Sequence, residues 1–321
     1  MSRALLRLGP AMFSAQYTVA DATAFLRTRF SQVADVELIG SGEWSQAFGF
    51  RDGRRELVVR FGAHLDDYQK DEAAYRFAAP DLPIPPVYEI GEAFGAYYAV
   101  SSRRYGKPLD QLDTGEFEAA LPSVLRFLDA LRLADVSVSS GYGMWTPDGD
   151  APFATWRDCL LAAGDDTVYP RAQGWRATLE ARPTDLAIFV EGYRQLELLA
   201  DSVGEARHLV HEDIVGDNVR LSDGQVTAVV DWGNSRYGDF LYDLARLTFW
   251  VPWYPAWRDI DIVGGAQLHY ASIDLEVPAF EQRLRACQIY IGLEAQAYNV
   301  FTGRWEELAK SGQRTLELAR G

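Results

Sequence analysis

Apolar and polar residues alternate along the chain in two different rhythms. Up to about residue 104 the period is mostly two, and beyond it mostly three to four. "TVADATAFLRTRF" (18–30) is the early exception, a short helix that Thr18 or Asp21 can cap. "DVELIGSGEWSQAFGF" (35–50) predicts strand, tight glycine turn and strand, and "RRELVVRFG" (54–62) predicts the next strand. In "LDDYQKDEAAYRFAA" (65–79), Tyr68, Glu72, Tyr75 and Ala79 recur at helical spacing. "LPIPPVYEIGEA" and "AYYAVSSRRYG" predict two more strands. The expectation is a small antiparallel sheet with one inserted helix.

After Gly106 the pattern becomes helical in "TGEFEAALPSVLRFLDALRLADV", "WRDCLLAAG" and "DLAIFVEGYRQLELLADSV". It stays so in "YDLARLTFWVPWYPAW", "PAFEQRLRACQIYIGLEAQAYNVFTG" and "RWEELAKSGQRTLELAR". A loop rich in Gly, Pro and aromatics, "SGYGMWTPDGDAPFATW", interrupts the series. The pattern therefore predicts an α+β chain of two lobes: residues 1–104, β-rich, and 105–321, α-rich. At 321 residues the chain is long enough for both.

Composition narrows the partners. The net charge of −15 disfavours a phosphate-backbone binder and favours a cationic ligand. Cys159 and Cys287 stand alone without metal-type spacing, which fits a reducing cytoplasm. No apolar run approaches a membrane span. "MSRALLRLGPAMF" is broken by Arg7, Gly9 and Pro10 and predicts a loose extension rather than a signal peptide, with Met12 an alternative start.

The chemistry is concentrated in "HEDIVGDN" (211–218) and "VVDWG" (229–233), joined by a hairpin whose turn is "DGQ". Asp213 and Asn218 have the spacing of a loop that folds back on itself. An Asp there can orient a hydroxyl nucleophile and accept its proton, and an Asn amide oxygen is a hard ligand for Mg²⁺. Asp231, at a strand end before Trp and Gly, can bridge Mg²⁺ and triphosphate. His211 is expected to brace the loop. Each fragment alone is explained by ordinary turn chemistry; their order and short separation point to phosphoryl transfer.

A nucleotide lobe should then precede them. Gly40 and Gly42 in the first hairpin loop let backbone N–H groups approach phosphates, and Ser45 can add a hydroxyl. Arg60 is the cation on the following strand, with Glu72 expected to hold it and Asp71 the alternative. No GxxxxGK[ST] run exists.

This set resembles the aminoglycoside phosphotransferases, which share a protein-kinase-like fold. Beyond the two motifs, "LPIP", "EIGE", "SRR", "TWRD", "RHLVH", "GQVTAVVDW" and "IGL" resemble, in the same order, the members acting on hygromycin B, over about residues 18–305. The resemblance implies transfer of the ATP (or GTP) γ-phosphoryl group to an aminocyclitol hydroxyl with Mg²⁺. It implies Asp213 as base, Asn218 and Asp231 as metal ligands, and Arg60 at the α/β-phosphates. It further implies a hinge against adenine at Ser101, Ser102 and Arg103, with Asp239 and Asp243 as braces. Asp217 stands where an amide is expected. A polycationic acceptor calls for carboxylates and aromatic faces. Glu212, Asp217, Asn234, Trp250, Trp253, Tyr254, Tyr290, Glu294 and Tyr298 are the candidates. A monomer without nucleic-acid or membrane partners is expected. Alternatives are the same fold acting on a macrolide, sugar or homoserine, a His/Asp metallohydrolase, or a non-catalytic nucleotide-binding scaffold.

Overall fold

The computed structural model describes residues 16–168, 172–205 and 207–321, so the expected N-terminal extension and the Met12 start lie outside the described residues. Helix α1 (Val19–Arg29) begins at Thr18. The Thr18 hydroxyl accepts the Asp21 N–H and the Asp21 carboxylate accepts the Thr18 N–H, so two end donors are satisfied reciprocally.

Strands β1 (Val33–Ser41), β2 (Ser45–Asp52) and β3 (Arg55–Gly62) follow, then helix α2 (Leu65–Ala74), then β4 (Val87–Ala93) and β5 (Ala96–Ser102). They form one antiparallel sheet in the order β1-β2-β3-β5-β4. Arg60 lies opposite Ala47 on β2 and Ala99 on β5. Period-two alternation does the rest. Leu57, Val59 and Phe61 point to one face, where they bury α1 residues Ala22 and Leu26 with Phe48, Phe50, Tyr98 and Val100. Val58 and Arg60 point to the other, which is a cleft.

The larger lobe is mainly helical: α3 (Thr114–Leu133), α4 (Trp156–Leu161), α5 (Trp175–Glu180), α6 (Pro183–Ala200), α7 (Leu241–Trp250), α8 (Ile262–Ser272), α9 (Phe280–Thr302) and α10 (Trp305–Arg320). Two three-stranded sheets are set among them. One orders β10 (Gln225–Val229), β9 (Val219–Ser222) and β6 (Lys107–Pro108), and the other β7 (Gly143–Met144), β11 (Arg236–Gly238) and β8 (His208–Val210). A single apolar cluster fills this lobe, with α9 through its middle: Ile289, Tyr290, Ile291 and Leu293 are fully buried.

Two expectations change. "YDLARLTFWVPWYPAW" is not one helix; it stops at Trp250, and Pro252 and Pro255 divide the rest into short 3-10 turns. Helix α8 was not visible in the pattern because it carries Gly264–Gly265. Asp261 caps it through the Gly264 N–H, and Gly265 lets Leu121 of α3 come close.

Candidate active site

Between the five-stranded sheet and the β9–β10 hairpin lies a cleft of about 360 Å³. Gly40, Gly42, Ser45, Arg60 and residues 101–103 line it from one side, and Asp217, Asn218 and Asp231 from the other. The Gly42 N–H closes the loop turn onto the Ser45 carbonyl. Neither Gly40 nor Gly42 has a positive φ, and a Cβ on either would meet no protein atom closer than 3.9 Å. Their bareness leaves space in the cleft rather than relieving strain. At the hinge the N–H groups of Ser102 and Arg103 are donated to the carbonyls of Pro86 and Glu56. Backbone donors to a base at these two residues are therefore already committed.

The Asp213 loop is fixed from behind by α7. The Asp243 carboxylate accepts the N–H groups of His211 and Glu212, both at 2.8 Å. That grip holds Glu212 in the left-handed region at φ +73, a conformation costing about 1–3 kcal/mol. The turn it makes sets Asp213 beside Asn218, which lines the cleft. Asn218 then folds back, donating its Nδ2 to the Asp213 carbonyl at 2.8 Å and to Oδ2 at 3.0 Å. The amide oxygen is thereby turned away from Asp213, and among the described residues no hydrogen bond uses it. Burial raises the Asp213 carboxyl above its ordinary range, and the guanidinium of Arg246, 3.5 Å from Oδ1, opposes that rise. His211 is fully buried, and burial pushes it down to about 4. It is neutral, with Nε2 donating to the Val230 carbonyl at 3.0 Å and its ring edge-on to Trp232. It braces the loop as expected.

Asp231 follows β10 in the left-handed region, at φ +64. Its carboxylate is 3.4 Å from Arg60 Nη1. The acid that holds Arg60 is Asp71, not Glu72. Glu72 is exposed, whereas Tyr68, Lys70 and Ala74 of α2 are buried and Asp71 is half-buried; Glu72 lies opposite Lys70 and Ala74. At 100° per residue Glu72 falls on the outer side. Asp71 also accepts the Trp232 N–H at 2.8 Å. Lys70, which no motif announced, donates to the carbonyls of Gly233 and Ser235 at 2.8 and 2.9 Å, with its Nζ 4.6 Å from the Trp145 ring centre. Burial pushes its amine down to about 7. Residues 70 and 71 thus hold the strained Asp231 turn from across the cleft.

The acceptor-side expectations divide. Glu212, Glu294 and Tyr290 all converge on Arg236, which is 1% exposed. A buried guanidinium between two carboxylates must be paired, so these groups are spent inside the protein and Tyr290 is fully buried. Trp250 and Trp253 pack against each other and against Phe249, and Trp253 donates to Glu307 at 2.9 Å. The Tyr298 hydroxyl donates to Glu43 of the glycine loop at 2.6 Å, and Arg304 pairs with the same carboxylate. Asp217 and Asn234 are exposed. Tyr254 lies near Asp213, Arg246 and Asp110. Arg246 and Glu43 went unnoticed in sequence; for Arg246 the signal was its position three residues after Asp243 on one helix face.

A small antiparallel sheet lobe over a helical lobe, with Asp, Asn and a second Asp gathered at the cleft between them, defines a kinase-like phosphotransferase. A model of the phosphotransferase enzyme family matches residues 35–275. The chain is 34% identical over 307 residues to a hygromycin-B 4-O-kinase of Escherichia coli, which covers 95% of this chain and 86% of that one. It is also similar to the crystal structure of aminoglycoside phosphotransferase APH(4)-Ia, with a TM-score of 0.83 at 32% identity over 94% of this chain and 99% of that one. A ternary complex of a thermostable mutant of that enzyme with AMP-PNP and hygromycin B gives a TM-score of 0.81 at 33% identity, covering 93% and 97%. The chain belongs to the aminoglycoside phosphotransferase family.

Proposed function

We propose that this enzyme transfers the γ-phosphoryl group of ATP to the 4-hydroxyl of hygromycin B, a reaction that would confer resistance to the antibiotic. What carries the reading is the meeting of Arg60, Asn218 and Asp231 at one cleft, with Asp213 hydrogen-bonded to Asn218, in a chain a third identical to a kinase of that name. Asp213 orients the acceptor hydroxyl and takes its proton as the new P–O bond forms and the bond to ADP breaks. Arg60, held by Asp71, anchors the α- and β-phosphates. Gly40, Gly42 and Ser45 admit the triphosphate, and the backbone carbonyls around Ser101–Arg103 flank the base. We assign residues 1–104 to the nucleotide and 105–321 to catalysis and the acceptor.

The residues fit Mg²⁺: the free amide oxygen of Asn218 and the carboxylate of Asp231 are hard oxygen donors at the floor of the cleft, and Mg²⁺ is commonly held by one or two such groups plus phosphates and water. When bound, it would neutralise charge on the β- and γ-phosphate oxygens. Catalysis is otherwise positioning, since the loose transition state leaves little covalent work for side chains.

We place the enzyme in the cytoplasm as a monomer, where ATP is abundant. Among the described residues no helix is long and apolar enough to cross a membrane. The direct test is incubation with ATP, Mg²⁺ and a panel of aminoglycosides, macrolides and neutral sugars, weighing the products by mass spectrometry. One added phosphate on hygromycin B is the expected product. Phosphate on a neutral acceptor alone would remove the aminoglycoside assignment.

A further inference from the structure

Helix α7 sends two side chains toward the Asp213 loop from one face. Asp243 is engaged with two N–H groups at 2.8 Å. Arg246, three residues on, is engaged with almost nothing. Its side chain is 18% exposed, its Nη2 lies 3.5 Å from Asp213 Oδ1, at the limit of a hydrogen bond, and its buried Nε has no partner. Its guanidinium is otherwise steadied over the Trp250 ring at 5.7 Å. An arginine carries five donors, and here one of them, Nε, is buried without an acceptor. If Arg246 existed only to pair with Asp213, a closer fork on the carboxylate would be the stable arrangement. The guanidinium thus has donors to spare beside the Asp213 carboxylate.

We propose that Arg246 is a further catalytic residue, donating hydrogen bonds to the transferred phosphoryl group as it moves from ATP to the acceptor. An attacking hydroxyl within about 3 Å of the Asp213 carboxylate stands about 3–3.5 Å from phosphorus. A guanidinium 3.5 Å from the same carboxylate is then within reach of the equatorial phosphoryl oxygens. The bond from the acceptor oxygen to phosphorus forms, the bond to the ADP oxygen breaks, and the acceptor proton goes to Asp213. Arg246 exchanges no proton and meets the charge that the phosphoryl oxygens carry in transit.

This rests on the phosphotransferase reading, and the test separates the two. In Arg246→Gln, kcat with hygromycin B is expected to fall about 100-fold or more, the range for losing one preorganised donor. The KM for ATP and for the acceptor should stay within about threefold. Arg246→Lys should recover part of the loss, and added guanidinium chloride at millimolar levels should partly rescue Arg246→Ala. The decisive arm is Asp213→Asn combined with Arg246→Gln, with folding checked by thermal melts. If Arg246 works only by setting Asp213, the second change adds nothing to the first. If it touches the phosphoryl group, the residual rate falls again by a comparable factor. Slow ATP hydrolysis without acceptor should fall in parallel. A double variant within twofold of Asp213→Asn, or a Gln variant whose only change is in KM, overturns the proposal. A wild-type protein that, given ATP and Mg²⁺, puts phosphate on no acceptor and releases none to water would overturn the phosphotransferase reading, and this proposal with it.

Discussion

At the scale of single residues, Asp213 and Asp71 carry the sharpest expectations. Asp213→Ala should lower kcat by about two to four orders of magnitude, as for a positioned acid–base group, while AMP-PNP affinity by calorimetry stays the same. A loss below tenfold would leave the base elsewhere. Asp71→Ala frees both Arg60 and the Trp232 N–H, so the KM for ATP should rise about tenfold, whereas Glu72→Ala should change it less than twofold. Equal effects would mean that the ion pair does not anchor the nucleotide. Asp213, Asn218 and Asp231 were legible as a set because a short loop and the β9–β10 hairpin bring them together. The partner of Arg60 was not, because one helical position turns a side chain by 100° and the stripe is set by the sheet it packs on. Glu212, Tyr290 and Glu294 looked like receptors for a cation, and they are, but the cation is the chain's own Arg236. Nothing in sequence pairs residues 212, 236 and 294.

At the scale of elements, the pattern of strand, turn and helix was largely visible, and what it missed were short strands, the six-residue α5 and the glycine-bearing α8. The elements meet at His211, whose ring ties the Asp213 loop to Val230, next to Asp231. Burial lowers its folded pKa to about 4, against about 6.5 when unfolded. Below 6.5 the unfolded chain takes up a proton that the folded chain refuses, so His211 contributes stability above that pH and loses it as the pH falls toward 4. Asp243, pushed up to about 6 by burial, runs the opposite way, so the wild-type curve alone mixes the two. The difference between wild type and His211→Gln isolates the histidine. It should shrink by about 2 kcal/mol between pH 7 and pH 5 in urea titrations. A constant difference would mean that His211 titrates alike in the folded and the unfolded chain, and a growing one that it is protonated in the fold.

At the scale of the whole molecule, the charge of −15 acts over distances that salt shortens to about 10 Å at 0.1 M. For a polycationic acceptor, kcat/KM should fall about tenfold between 20 mM and 0.5 M NaCl while kcat hardly moves. If kcat/KM for a cationic and a neutral acceptor declined equally, the charge would serve solubility alone. The change of period along the chain announced a lobe of sheet and a lobe of helices. It could not announce how firmly they are joined. Lys70 and Asp71 grip residues 232, 233 and 235, and Glu43 is held by Tyr298 and Arg304.

Those grips bear on how the chain can be recombined. Exchanging the first lobe for that of a relative at the seam near residue 104 would bring in a foreign α2 to face this chain's own 231–236 turn. The buried amine of Lys70 would vanish from under the carbonyls of Gly233 and Ser235, or a new one would arrive with no acceptors. A working hybrid must therefore carry two pieces from the same parent, the first lobe and the turn more than a hundred residues later. Sequence segments that are far apart along the gene are, in this protein, inherited as one part.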